Sequence, residues 1–157
     1  MIDKASDGHH DLFLKVDVMI SHLKIADSFF LYDFLEIRDD DYQQLEEGTQ
    51  LQFAASKLIN YWIGRIKMLE RGQKTFILFD LSDQYIGGLT LEKNKRGFKT
   101  RFVFTKELCG SDVSISTLDE RIIASGAVFF PSVESEWLIG EEALFNGLNW
   151  SLEQLKQ

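Results

Sequence analysis

The chain has little that would staple it or break it. Its 157 residues include one cysteine, Cys109, and one proline, Pro131. A single thiol excludes an intramolecular disulfide and a cysteine-built zinc site. The lack of paired cysteines favours a reducing compartment, and we expect a cytoplasmic protein. Long apolar runs are also missing. The densest, such as Phe76-Ile77-Leu78-Phe79, are about four residues long, far short of a membrane span. The first residues, Met1-Ile2-Asp3-Lys4-Ala5-Ser6-Asp7-Gly8, have neither a basic n-region nor an apolar h-region, so no signal peptide is expected. Asn149-Trp150-Ser151 matches a glycosylation sequon, which carries no meaning without secretion.

Cations are in deficit too. Lysine and arginine number 17 against 25 aspartates and glutamates, a net charge of −8. A chain of that sign is repelled by phosphate backbones and anionic lipid, so neither nucleic acid nor membrane is expected as a direct partner. A basic protein suits it better. Enzyme signatures are absent: there is no Gly-x-Ser-x-Gly, Gly-x-Gly-x-x-Gly, Walker loop or His-Glu-x-x-His. The only histidines are His9, His10 and His22. His9-His10-Asp11 is the nearest thing to a metal-ligand group and reads as a polar tail. No enzyme activity, metal or cofactor is expected. Cys109, in Leu108-Cys109-Gly110, reads as a small buried hydrophobe rather than a nucleophile. Asp83 in Ser82-Asp83-Gln84 reads as a turn former.

What is present is an ordinary globular composition, 45% apolar and 27% charged. There is no repeat and no linker, so residues 11–157 read as one domain behind a flexible tail, residues 1–10. Leu12, Leu14, Val16 and Val18 alternate with polar positions as in a half-buried strand. Residues 28–37, aromatic and aliphatic, read as a second strand, with residues 19–27 left open between strand and turn. Thr49-x-x-Gln52 is a capping-box pattern that opens a long helix. Its stripe runs Leu51, Ala55, Leu58, Trp62, Ile66, Leu69, and Arg71-Gly72 is expected to close it.

Thr75–Leu81, Tyr85–Glu92 and Phe98–Phe104 then read as a three-stranded antiparallel meander, softened at Gly87-Gly88. Thr117-x-x-Glu120 and Gly126 bracket a short helix. Residues 127–130 are a candidate strand, and Leu144, Leu148, Leu152 and Leu155 mark a C-terminal helix over Glu141–Lys156. The sum is α+β: an antiparallel sheet packed against a long helix, with a C-terminal helix, in a single domain.

Charge is unevenly placed. Residues 33–47 sum to −6, residues 93–101 to +5, and residues 107–157 to −7. The plain reading of the basic run is a solvated hairpin that protects a sheet edge. The plain reading of Asp39-Asp40-Asp41 is a solvated loop. The functional reading is a carboxylate surface that steers a basic partner, made of Asp39, Asp40, Asp41, Glu46, Glu47, Glu134 and Glu136.

The order of elements resembles a known group. A long helix carrying Asn60-Tyr61-Trp62-Ile63 and ending Met68-Leu69-Glu70-Arg71-Gly72 leads into a meander ending Phe102-Val103-Phe104. A late Ser135-Glu136-Trp137 precedes a terminal amphipathic helix. Over residues 28–155 this resembles the immunity proteins of contact-dependent growth inhibition and related bacterial polymorphic toxin systems. The resemblance implies a protein that binds and neutralises the C-terminal domain of one cognate toxin, often a basic nuclease. It implies no catalytic residue and a monomer rather than a homodimer. The alternative is an acidic type III secretion chaperone that binds an effector segment. That protein would be dimeric and would present apolar surface to an extended chain.

Overall fold

The structure is a computed structural model that describes residues 2, 9–17, 21–42, 45, 49–132 and 136–156. Strands β1 (Leu12–Asp17) and β2 (Ser21–Ala26) form an antiparallel two-stranded sheet, Leu12 opposite Ala26. Short helices α1 (Leu31–Phe34) and α2 (Asp39–Tyr42) precede the long helix α3 (Gln50–Lys67). The main sheet follows: β3 (Lys74–Leu81), β4 (Ile86–Asn94) and β5 (Gly97–Thr105), with β6 (Phe130–Pro131) and β7 (Trp137–Ile139) both pairing with β5. A 3-10 turn (Gly110–Asp112) and helix α4 (Leu118–Ser125) lie between β5 and β6, and α5 (Glu141–Gln154) comes last. All pairings are antiparallel, so the architecture is α+β as expected.

Helices α3 and α5 pack on each other and on β3 and β5. Trp62 is the central core side chain of α3. It is 4% exposed, meets the Phe79 ring edge-on, and donates its indole N–H to the Leu78 carbonyl at 2.9 Å. That carbonyl lies beside an irregularity in β3: Leu78 pairs with Gly88 and Asp80 with Gly87, so Phe79 is an extra residue. The bulge expected at Gly87-Gly88 is therefore carried by the opposite strand. Gly88 is needed there, because a Cβ on it would stand 2.1 Å from the Ile77 carbonyl oxygen. Gly97, at φ +133°, is needed for a similar reason, its Cβ position being 2.1 Å from the Ile139 carbonyl oxygen of β7.

Four local expectations are corrected. Residues 28–37 are not a strand: Ser28, Leu31, Phe34 and Leu35 are buried, at helical spacing, and the segment forms α1. Aromatic content suggested β structure where burial periodicity decides for helix. Residues 21–26, left open, supply the second strand instead. The helix α3 stops at Lys67, five residues before Gly72, which takes φ +87° in the following turn and donates its N–H to Lys93.

Neither capping box forms. Thr49 makes no cap hydrogen bond and the Gln52 Oε1 is buried without a partner, while the Thr117 hydroxyl accepts the Ser114 N–H at 3.0 Å. Cys109 is half-buried rather than buried, and its N–H and Sγ both donate to Asp112 across the 3-10 turn. Gly126, by contrast, ends α4 in the left-handed conformation as expected.

Residues 9–11 are tied into the fold. Asp27 accepts the His10 N–H at 2.7 Å and contacts the His9 Nδ1 at 3.3 Å. Asp11, 1% exposed, accepts the N–H and hydroxyl of Ser28. Among the described residues no helix is long and apolar enough to cross a membrane, and no group of three His, Cys, Asp or Glu side chains is placed to hold a metal ion.

Candidate functional site

The carboxylates singled out in the sequence do not share one place. Glu46, Glu47 and Glu134 lie outside the described residues. Asp39, Asp40 and Asp41 are the first three residues of α2. Asp40 and Asp41 are exposed, and Asp41 folds its Oδ2 back onto the Arg38 N–H at 2.9 Å. Glu136 is elsewhere, at the start of β7. It bridges Lys99 at 3.0 Å and Arg101 at 3.2 Å, two residues apart on β5. Its charge is therefore engaged by the basic hairpin inside the molecule, and it adds little to a face for a cationic partner.

A different set of acids is gathered at the end of α1, just before Asp40 and Asp41 in the chain. Helix α1 closes through Glu36, which takes φ +53° while the Ile37 N–H reaches the Tyr32 carbonyl. A glutamate in the left-handed region costs about 1 kcal/mol or more and persists only where its surroundings hold it. Here the holders come from 78 to 80 residues further along the chain: the hydroxyls of Ser114, at 2.6 Å, and Ser116 donate to Glu36 Oε1. The Ile115 N–H between them donates to the Phe34 carbonyl at 2.6 Å. These bonds seat the segment leading into α4 on the end of α1. The Ser114 and Ser116 hydroxyls, with the nearby Arg38 charge, hold the Glu36 carboxyl below its ordinary range.

A second clamp fixes the other side of α4. Arg65 of α3 grips Asp119 with both terminal nitrogens, at 2.9 and 2.7 Å, bonds Thr75 of β3 through two nitrogens, and lies over the Tyr61 ring. Burial alone would lower the arginine pKa, but Asp119 and Tyr61 outweigh it and the guanidinium is raised. The 3-10 turn packs on α1 and presents Asp112, whose carboxyl is held low by the Cys109 N–H and Sγ.

The result is an acidic corner. The clamps bring the acids at the end of α1, Asp33 and Glu36, to those of the 3-10 turn and the start of α4, Asp112, Asp119 and Glu120, with Asp40 and Asp41 following four to five residues after Glu36; all seven are exposed. The arginines among them are Arg38, Arg65 and Arg121, and Arg65 is engaged by Asp119. Asp33, Glu36, Asp112 and Glu120 were not named as site residues from the sequence. Their excess was visible in the charge of their segments, but a pairing of residue 36 with residues 114–116 leaves no mark in local spacing. Chemically the corner is a cluster of exposed carboxylates held by two side-chain clamps. It is suited to attracting and orienting cations on a partner.

Compared with known proteins, the chain matches no protein family, no curated protein and no solved structure.

Proposed function

We propose that the protein is a binding inhibitor, an immunity protein that neutralises the basic C-terminal domain of one cognate bacterial toxin, a nuclease being the best fit. The reading rests on one observation: two acidic segments remote in sequence are clamped together at the α1–α4 corner by Glu36, Ser114 and Ser116. A nuclease domain must present cations where it grips phosphates, and a fixed carboxylate array competes for those cations. Inhibition by occlusion needs no catalytic group, which agrees with the absence of enzyme motifs in the sequence. The proposed binding residues are Asp40 and Asp41 with Asp39, Glu46 and Glu47 from the sequence, joined by Asp33, Asp112 and Glu120 from the fold. Glu136, neutralised by Lys99 and Arg101, leaves the proposed set, and Glu134 is kept as its neighbour in sequence. The protein acts in the cytoplasm of the producing cell, where the toxin would otherwise act.

The test is co-expression with the C-terminal domain of a toxin gene found directly upstream of its own. Survival of the cells, and a one-to-one complex on size-exclusion chromatography, is the expected outcome. Toxicity undiminished by co-expression refutes the reading.

A second reading, the secretion chaperone, draws on the small sheet. Leu23 and Ile25 of β2 are 51% and 45% exposed on a two-stranded sheet in which, among the described residues, β2 has β1 as its hydrogen-bonded neighbour. A free homodimer on size-exclusion chromatography favours this reading and a monomer favours inhibition.

A further inference from the structure

On the main sheet Asp80 of β3, Gly87 of β4 and Phe104 of β5 form one cross-strand row. The glycine is a gap in that row. Its neighbour Gly88 is imposed by the backbone, as described above, but Gly87 is not. Its φ lies outside the left-handed region, and a Cβ there would meet Asp80 Cβ and the Val103 carbonyl oxygen at 3.4 Å and Phe104 Cβ at 3.7 Å, which are ordinary contacts. Gly87 and Gly88 line a hollow of about 330 Å³ on the sheet surface, near the lower end of the size range of small-molecule sites.

Its lining combines three chemistries. Tyr85, Phe102 and Phe104 supply aromatic wall. Asp80 supplies a carboxylate: the Tyr85 hydroxyl donates to its Oδ2 at 2.9 Å, and Lys24 acts on its charge without forming a salt bridge to it. Lys24 of β2, 5.4 Å from the Phe102 centroid, and Lys106 supply two cations, neither in an ion pair with a described residue. Burial raises the Asp80 carboxyl above its ordinary range even with Tyr85 and Lys24 opposing it, so the charge there is under-solvated and would gain from a further cation.

A simple cation would satisfy Asp80 and face two lysines. A simple anion would satisfy the lysines and face a half-buried carboxylate. A molecule with both charges satisfies all three. We propose that this hollow binds a small zwitterion of the amino-acid class. Its ammonium sits against Asp80 and the aromatic faces, its carboxylate meets Lys24 and Lys106, and its apolar side chain lies on Phe102 and Phe104. The proposal is independent of the toxin-binding reading, because the acidic corner contributes no residue to the hollow.

The experiment is isothermal titration of the full chain with L-phenylalanine, with phenethylamine as the cation-only probe and 3-phenylpropionate as the anion-only probe. Saturable binding of phenylalanine, roughly tenfold tighter than either single-charge analogue, is expected. Asp80→Asn should weaken it by about tenfold and Lys24→Met by a similar factor. Gly87→Val, which refills the gap, should abolish it with an unchanged circular-dichroism spectrum. If Gly87→Val does not fold, the Asp80 and Lys24 variants decide. Absence of saturable heat up to about 10 mM phenylalanine overturns the proposal. So does equal binding of all three probes, or full binding by the variants.

Discussion

The Ser114 hydroxyl donates to Glu36 at 2.6 Å across 78 residues of chain, and the carboxylate that receives it belongs to a residue in the left-handed conformation. Local strain and a long-range bond thus meet in one side chain, and each explains the other. The Ser114 and Ser116 hydroxyls hold the Glu36 side chain, while the Glu36 and Ile37 N–H bonds to the Asp33 and Tyr32 carbonyls hold its backbone.

The first prediction follows from that coupling. Glu36→Ala should speed hydrogen exchange at the Ile115 amide by on the order of tenfold, while amides of β4 stay unchanged. Glu36→Gln, which keeps an acceptor oxygen, should do less. The wild-type corner should also loosen in acid. The folded-state carboxyl titrates below the ordinary 4.5, so its contribution is complete above that value and is lost as pH falls through the lowered folded value. Equal exchange in all three proteins would show that the bond is incidental.

Trp62 tests the core. Trp62→Ala should cost about 3–5 kcal/mol in chemical denaturation, the range for a buried large aromatic. Trp62→Phe keeps most of the apolar contact but strips the Leu78 carbonyl of its donor, and should cost about 1–3 kcal/mol. A loss under about 1 kcal/mol for the alanine variant would mean that the ring is not core.

The two adjacent glycines should behave differently. Gly88→Ala drives a methyl into the Ile77 carbonyl and should cost about 3 kcal/mol or more. Gly87→Ala meets only ordinary contacts and should stay within about 1 kcal/mol of wild type. Equal costs would deny that the gap at Gly87 is optional for the fold.

Asp80 gives a pH-dependent stability. Burial raises its folded pKa, with Tyr85 and Lys24 working in the opposite direction. For a raised group, stability is full below the unfolded pKa and declines as pH rises through the folded one. Asp80→Asn removes that decline, so the variant should be the more stable protein at pH 7, with the difference shrinking as pH falls to 4. Thermal melts at the two pH values measure it, and a difference that widens in acid reverses the assignment. The partner hydroxyl of Tyr85, itself half-buried and beside Asp80, is pushed up to about 12 and stays protonated throughout.

The strong periodicities of this chain could be read directly. The α3 stripe, the meander alternation and the leucines of α5 each repeat several times, and each element lies where its period puts it, save that α3 ends at Lys67. The failures share a cause. Residues 28–37 are too short for a period to outweigh aromatic composition, and Gly72 and the two capping-box patterns are local signals that tertiary contacts reassign. Thr117, for instance, turns its hydroxyl to Ser114. The acidic corner was half legible. Asp40 and Asp41 stand out as a run, but their companions Asp112 and Glu120 join them only through folding, and Glu136 was lost to a salt bridge that no one-dimensional charge count reveals.

The central claim is that the α1–α4 corner steers a basic partner. The most direct measurement is the association rate of the protein with the toxin domain it is proposed to neutralise, at about 50 and 150 mM salt, where the Debye length falls from roughly 14 to 8 Å. The comparison is with a variant carrying Asp33→Asn, Asp40→Asn, Asp41→Asn and Glu120→Gln, which spares Glu36 and Asp119 and therefore the two clamps. The account predicts a wild-type rate that drops as salt rises, and a variant rate at least about tenfold lower that responds weakly to salt. A variant that associates as fast as wild type, with the same salt dependence, contradicts it.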